Sequence, residues 1–172
     1  MTLPEEFRIR VITLSDRAHR GNYADLSGPA VVKYVRYAMA AAGWKYEIRN
    51  DILPDDAGAL LAALTESPSV DLIITTGGTG IGPRDITPDV VRPLLTKEIP
   101  GIMEQIRVKY GTKNPKALLS RGVAGTIGNT LIYTLPGSVK AVHEYMAEIV
   151  KTLGHTFYML YGIDTHGKSS GF

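Results

Sequence analysis

The chain of 172 residues contains no cysteine, which excludes disulfides and thiolate metal sites; a reducing compartment, the cytoplasm, is the expected location. It has no run of eighteen apolar residues, and the opening MTLPEEFRIR lacks the basic-then-apolar order of a secretory signal, so neither membrane insertion nor export is expected. Charge of one sign is not in excess either. Nineteen Lys and Arg face seventeen Asp and Glu, a net charge of +2, which leaves no strongly basic face for nucleic acid. His19, His143, His155 and His166 have no ligand spacing of the HExxH kind, and no GxSxG elbow is present, so neither a histidine-built metal centre nor an activated serine is expected. No repeat or low-complexity tract appears. What remains is an ordinary globular composition, 44% apolar and 21% charged, of a length suited to one domain over residues 1–172.

Along the chain, strand and helix patterns alternate. FRIRVITL (7–14) is a β-branched, apolar run that stops at Ser15, Asp16 and Arg17 and reads as a buried strand. Ser27-Gly28-Pro29 opens a helix that runs to about Gly43. WKYEIRNDIL (44–53) reads as a second strand and DDAGALLAALTE, from Asp55, as a helix in which Asp55 or Asp56 supplies the cap. VDLIITT, ending at Thr76, is the clearest strand. Two short helical stretches, 86–95 and 100–111, lead to a fourth strand, TLIYTL, closed by Pro136 and Gly137. SVKAVHEYMAEIVKTLG follows as an amphipathic helix with Val139, Val142, Met146, Ile149, Val150 and Leu153 on one side. Such alternation predicts an α/β fold, a three-layer αβα sandwich with a mostly parallel central sheet. Residues 162–172 lack periodicity and are expected to be a loose tail.

In open α/β sheets, ligands bind outside the carboxyl ends of the strands. The four strand ends carry Ser15 to Arg17, Pro54 to Asp56, Thr75 to Gly80 with Arg84 and Asp85, and Pro136 to Ser138. TTGGTGIGPRD is the sharpest local signal, since glycines let backbone approach an anion and expose amides to it. It is neither a Walker loop, because Gly80 is followed by Ile81 and Gly82, nor the GxGxxG fingerprint. Three glycines at a strand exit serve a tight turn as well as a phosphate, and both readings stay open at this point. Asp85 is suited to a hard cation beside a nucleotide, and Asp89 to capping a helix.

The segments LSDRAHRGNYADLSGPA, LPDD, TTGGTGIGPRDITPD, PGIMEQIR, LLSRGVAG and NTLIYTLPGS resemble, in order and spacing, the MogA and MoaB family of molybdenum cofactor biosynthesis. The resemblance spans Arg8 to about Leu153. TTGGTG with RDxTP is shared with the MoeA core domain and CinA-like proteins, and the opening SDR with GxYxDxSGP narrows it to this branch. It implies a nucleotidyltransferase, molybdopterin adenylyltransferase, with ATP as co-substrate and Mg2+ as cofactor. By the same resemblance Thr76, Gly77, Gly78, Thr79 and Gly80 bind nucleotide; Asp55 and Asp85 are the catalytic, magnesium-binding pair; and Ser15, Asp16, Arg17, Ser120, Pro136, Gly137 and Ser138 bind substrate. Cations are expected to be sparse beside the acidic pair, with Arg17 the candidate for an anionic group. Asn129 departs from a serine in relatives and places the pterin contacts there in question. The resemblance further implies a homotrimer, for which Tyr34, Tyr37, Met39 and Trp44 are candidate contact residues, and a MoeA-like insertase downstream. A MoaB-type paralog with little transferase activity and a non-catalytic interaction module are the alternatives.

Overall fold

The computed structural model of the protein describes residues 2–65 and 70–164. Strand β1 (Phe7–Leu14) is buried at every position but Arg8, because it runs between two helical layers. Ile9 pairs in parallel with Ile48 of β2 (Tyr46–Leu53) on one side and with Leu72 of β3 (Leu72–Thr76) on the other. Next to β3, also parallel, lies β6 (Thr130–Leu135), and beyond it come β5 (Ala124–Ile127) and β4 (Lys97–Glu98), both pairing antiparallel. The order is β2-β1-β3-β6-β5-β4.

Alternate strand residues face opposite layers, as the two-residue repeat of a strand requires. Phe7, Ile9, Val11, Leu72 and Ile74 pack against α2 (Ser27–Ala41), α5 (Pro100–Gly111) and α6 (Val139–Leu160). Ile12, Leu14, Ile73 and Ile132 pack on the other face, against Leu60 and Leu64 of α3 (Ala57–Thr65) and Val91 of α4 (Thr87–Val91). The result is the expected three-layer αβα arrangement. A single turn, α1 (Asp16–His19), follows β1 directly.

Three local details differ from the sequence expectation. The antiparallel β4 and β5 leave no signal in the sequence pattern: β5 has four residues and β4 two, too short to show a period. Gly128 at φ 57 and the exposed Asn129 form the two-residue turn that joins β5 to β6, with Ile127 opposite Thr130. Helix α6 passes through Gly154 to Leu160 because Phe157 then stacks into a cluster with Phe7 at 4.7 Å and Trp44 at 5.7 Å between ring centres. Of the expected tail, residues 165–172 lie outside the described residues.

The chain crosses from β1 to β2 through α2 on one face and from β2 to β3 through α3 on the other. The connections therefore part at the neighbouring carboxyl ends of β1 and β3, where open sheets of this kind leave a crevice.

Candidate active site

Thr13 and Thr76 pair at the ends of β1 and β3, so the chain leaving β3 starts against β1. At Gly77 (φ 107) a Cβ would strike the Leu14 carbonyl oxygen; a Cβ at Gly137 would in turn lie 3.2 Å from the Gly77 Cα. Only glycine allows the exits of β1, β3 and β6 to meet this closely. Gly78 (φ 65) faces Thr87, whose hydroxyl donates to the Gly77 carbonyl at 2.9 Å and whose amide donates to the Gly78 carbonyl at 3.0 Å. A Cβ on Gly78 would lie 2.5 Å from that hydroxyl.

This geometry divides the glycine loop. The Gly77 amide donates to the Leu135 carbonyl at 2.9 Å, so Gly77 forms wall and not an anion donor. Thr76 stands back from the site: fully buried, it donates its hydroxyl to the Pro136 carbonyl at 2.9 Å and lines neither cavity. Among the described residues, the amides of Gly78, Thr79 and Gly80 have no protein acceptor. Exposed successive amides of this kind suit an anion.

Two cavities meet here. The larger, about 590 Å3, is lined by residues from all four parallel strand ends, including Ser15, Asp55, Gly78, Asp85 and Gly137. The smaller, about 300 Å3, lies between the glycine loop, residues 114–120 and the start of α6. Gly78, Asp85, Gly137 and Ser138 border both, so one short wall separates two binding spaces.

The acidic residues are held by backbone. Asp55 accepts the Asp16 amide at 3.0 Å, and Asp16 accepts the Asp55 amide at 3.2 Å, a reciprocal clasp between the ends of β1 and β2. Asp56, not Asp55, caps α3, accepting the Ala59 amide at 2.8 Å. Asp85 folds over Gly80 and Gly82 and accepts the Gly82 amide at 2.8 Å. Asp89 is not a helix cap; it pairs with the Arg121 guanidinium at 2.8 and 2.9 Å.

Cations are not sparse beside these acids. Arg84 bonds Asp16 at 2.5 Å. Desolvation is the largest influence on the Asp16 carboxyl and pushes it up, yet the Asp55 amide and the Arg84 guanidinium together hold it below its ordinary value. Arg17 lies over the Tyr23 ring at 5.2 Å on the wall of the larger cavity. Ser15 accepts the Ala18 amide and starts α1, while Ser138 accepts the Ala141 amide and starts α6. Ser120 and Pro136 line the smaller cavity.

Several residues of the site were not singled out in the sequence. Arg121 clamps the glycine loop: its amide donates to the Thr79 carbonyl and its side chain to the carbonyls of Gly80 and Asp85. It stands inside LLSRGVAG, but nothing local to that segment shows which loop it reaches. Lys116, Lys140, Glu144 and Tyr145 line the smaller cavity. Tyr145 could have been found, because Ser138, Ala141 and Tyr145 recur at three and four residues, one helical face. Asn129 is removed from the question of substrate contacts, since its turn precedes β6 and the site lies beyond that strand's other end.

A magnesium ion takes hard oxygen ligands, commonly one or two carboxylates completed by substrate phosphates and water. Asp55 and Asp85, on one cavity wall, fit that role. Among the described residues no group of three acidic, histidine or cysteine side chains could hold a metal by itself, so the fit is to a cation that arrives with phosphate.

A family model described as "Probable molybdopterin binding domain" matches residues 10–155. The chain belongs to that family. It is 33% identical over 159 residues to a "Molybdopterin adenylyltransferase" of Helicobacter pylori strain J99, covering 92% of this chain and 90% of the relative. It is 34% identical over 163 residues to "Gephyrin" of Dictyostelium discoideum, covering 91% of this chain and 23% of that protein. For the first three curated relatives it matches, the chain spans 23%, 26% and 49% of their lengths. Among solved structures, the molybdopterin biosynthesis enzyme MoaB of Thermus thermophilus superposes with a TM-score of 0.78 at 36% identity, covering 91% of this chain and 97% of that one. No described helix is long and apolar enough to cross a membrane.

Proposed function

We propose that the protein is a nucleotidyltransferase of molybdenum cofactor biosynthesis that moves AMP from ATP to the terminal phosphate of molybdopterin and releases pyrophosphate. The observation that carries this reading is the pair of cavities sharing the wall of Gly78, Asp85, Gly137 and Ser138: a two-substrate transfer needs two spaces that meet at one reacting centre. The name of the Helicobacter pylori relative, matched along 90% of its length, supports it.

In this reading the nucleotide occupies the larger cavity and the pterin the smaller one. The ATP α-phosphorus sits at the common wall. The amides of Gly78, Thr79 and Gly80 and the start of α6 at Ser138 face the charge of the phosphates, where a helix N-terminus is favourable. A phosphate monoester loses its second proton near pKa ~6, so at neutral pH the molybdopterin phosphate is already a nucleophile and needs no activated serine. One of its oxygens forms a bond to the α-phosphorus while the bond from that phosphorus to the α,β-bridging oxygen breaks, and pyrophosphate leaves with the electron pair.

Mg2+ bound with the triphosphate would neutralise charge there, with Asp85 and Asp55 as its protein ligands. Arg121 keeps the loop in place through the Thr79, Gly80 and Asp85 carbonyls, so the amides need not reorganise as charge moves. Arg17 and Arg84 stand on the larger cavity, placed to meet the leaving pyrophosphate. We place the reaction in the cytoplasm, with a homotrimer as the working assembly and a MoeA-like insertase receiving the product.

Incubation of the protein with molybdopterin and Mg-ATP, followed by mass spectrometry, should yield adenylylated molybdopterin and pyrophosphate. Binding of both substrates without that product would overturn the transferase reading in favour of a MoaB-type binding paralog.

A further inference from the structure

Three buried side-chain oxygens among the described residues have no hydrogen-bond partner: Thr75 Oγ1, Tyr133 OH and Tyr145 OH. A buried hydroxyl left without a partner is destabilising, and native proteins retain few of them. Thr75 and Tyr133 are fully buried in the sheet and core. Tyr145 differs. Only 2% of it is exposed, yet it lines the smaller cavity beside Ser120 and Thr79.

No neighbour meets hydrogen-bond geometry with it, although the Ser120 hydroxyl is close enough to act on its titration. Ser120 Oγ donates to Thr79 Oγ1 at 3.4 Å and accepts the Gly122 amide at 3.4 Å, both at the long limit of a hydrogen bond. The cavity wall thus carries one loosely bonded pair of hydroxyls, Ser120 and Thr79, and the unpartnered one of Tyr145, next to the free amides of the glycine loop. Burial raises the Tyr145 phenol above its ordinary value, against a smaller opposing influence of Ser120, so it stays protonated and available to donate.

We infer that Tyr145 is a substrate-selecting residue of the smaller cavity, its hydroxyl donating to an acceptor nitrogen or carbonyl of the planar heterocycle carried by the phosphate substrate. The inference rests on the assignment of the pterin to that cavity. A site built to hydrogen-bond a ring acceptor rejects a ligand that lacks it, because the buried donor then stays unpaired. The unbound protein carries the same cost. Tyr145→Phe therefore removes a destabilising group from the free protein while removing a contact from the complex, a combination that a purely structural tyrosine would not produce.

Steady-state kinetics with molybdopterin and Mg-ATP varied in turn, together with thermal melts of the free proteins, test it on the wild type, Tyr145→Phe and Tyr133→Phe. Tyr145→Phe is expected to raise the KM for molybdopterin about tenfold, the usual loss for one neutral hydrogen bond, with the KM for Mg-ATP and kcat within about twofold. Its melting temperature should be no lower than that of the wild type. Tyr133→Phe, which removes from the core a hydroxyl that likewise meets no hydrogen-bond geometry, should leave both KM values unchanged. A wild-type KM for molybdopterin in Tyr145→Phe would overturn the inference, since the hydroxyl would then serve only a water. A rise confined to the KM for Mg-ATP would overturn it as well. If the wild type forms no adenylylated product, the transferase reading fails by itself, and molybdopterin affinity by calorimetry decides the role of Tyr145: a tenfold loss in Tyr145→Phe supports it and equal affinity ends it.

Discussion

Glycine-rich strand exits admit two explanations from sequence, a tight turn and an anion cradle, and the geometry of residues 77–80 leaves room for both. Gly77 and Gly78 are required by backbone geometry, the first against the Leu14 carbonyl and the second under Thr87, while the amides from Gly78 to Gly80 remain open. No count of glycines separates these roles, because they depend on which strand lies alongside. Gly28 is similar: a Cβ there would come within 2.6 Å of Thr13 Oγ1 and 2.9 Å of Asn50 Oδ1, and Asp25 lies across the same helix start accepting the Ser27 and Gly28 amides. The DLSGP segment is legible as a helix start, but not as the place where β1, β2 and α2 touch. The acids are a sharper test at this scale. Asp55 and Asp85 each accept one backbone amide, a task that the oxygen of an asparagine can still perform, whereas neither carboxylate makes an ion pair among the described residues and the Asp85 charge acts on Arg121 only through space. Asp55→Asn and Asp85→Asn should therefore melt within a few degrees of the wild type while product formation drops about a hundredfold or more, the scale seen when a preorganised electrostatic group is removed. Near wild-type turnover in both variants would end the assignment of the acidic pair.

Among the elements, the long strands and helices could be read from their periodicity, and the short antiparallel addition could not. β4 and β5 together contribute six residues, and Gly125 in β5 leaves room for the Lys97 carbonyl and Leu95 where a side chain would collide. Helix α6 was legible along its buried stripe but not at its far end, since Gly154 reads as a stop until Phe157 is seen against Phe7 and Trp44. Helices α5 and α6 are also joined by charge. Glu148 accepts Lys109 at 2.6 Å, Lys151 at 2.9 Å and Tyr110 at 3.2 Å, and this set, Lys109 foremost, lowers its carboxyl from 4.5 to about 2. A folded-state value below the unfolded one means that the stabilisation is complete above about pH 4.5 and is lost as pH falls toward 2. Urea denaturation from pH 7 to 2.5 should show the wild type losing a stability increment in that window that Glu148→Gln lacks throughout. Parallel acid limbs for the two proteins would show that the bridge contributes nothing.

For the molecule as a whole, the order of strands matters more than any single motif. Four parallel strands with crossovers on both faces bring Ser15, Asp55, Gly78, Asp85 and Gly137 to one cavity, although they are up to 122 positions apart in the chain. That convergence was legible, because strand ends and right-handed crossovers leave little choice. The outer surface was less so. Of the four residues considered for self-association, Met39 is fully buried, Trp44 stacks on Phe7, and Tyr34 rests against the His143 ring, which leaves Tyr37, 74% exposed. Tyr37 lies eleven residues from Leu26, the N-cap of α2 and itself 62% exposed, and eleven residues are three helical turns, so Leu26 caps the stripe on which Tyr37 stands. Beside that helix runs β2, the outermost strand on its side of the sheet, whose edge is unpaired among the described residues and is the kind of surface proteins cover. If copies of the chain associate through this side, sedimentation equilibrium at micromolar concentration should report a trimer, and Tyr37→Glu should shift it toward the 18.7 kDa monomer with an unchanged circular dichroism spectrum. A wild type that sediments only as monomer would refute the trimer, and a Tyr37→Glu variant that stays trimeric would remove this face of α2 from the interface.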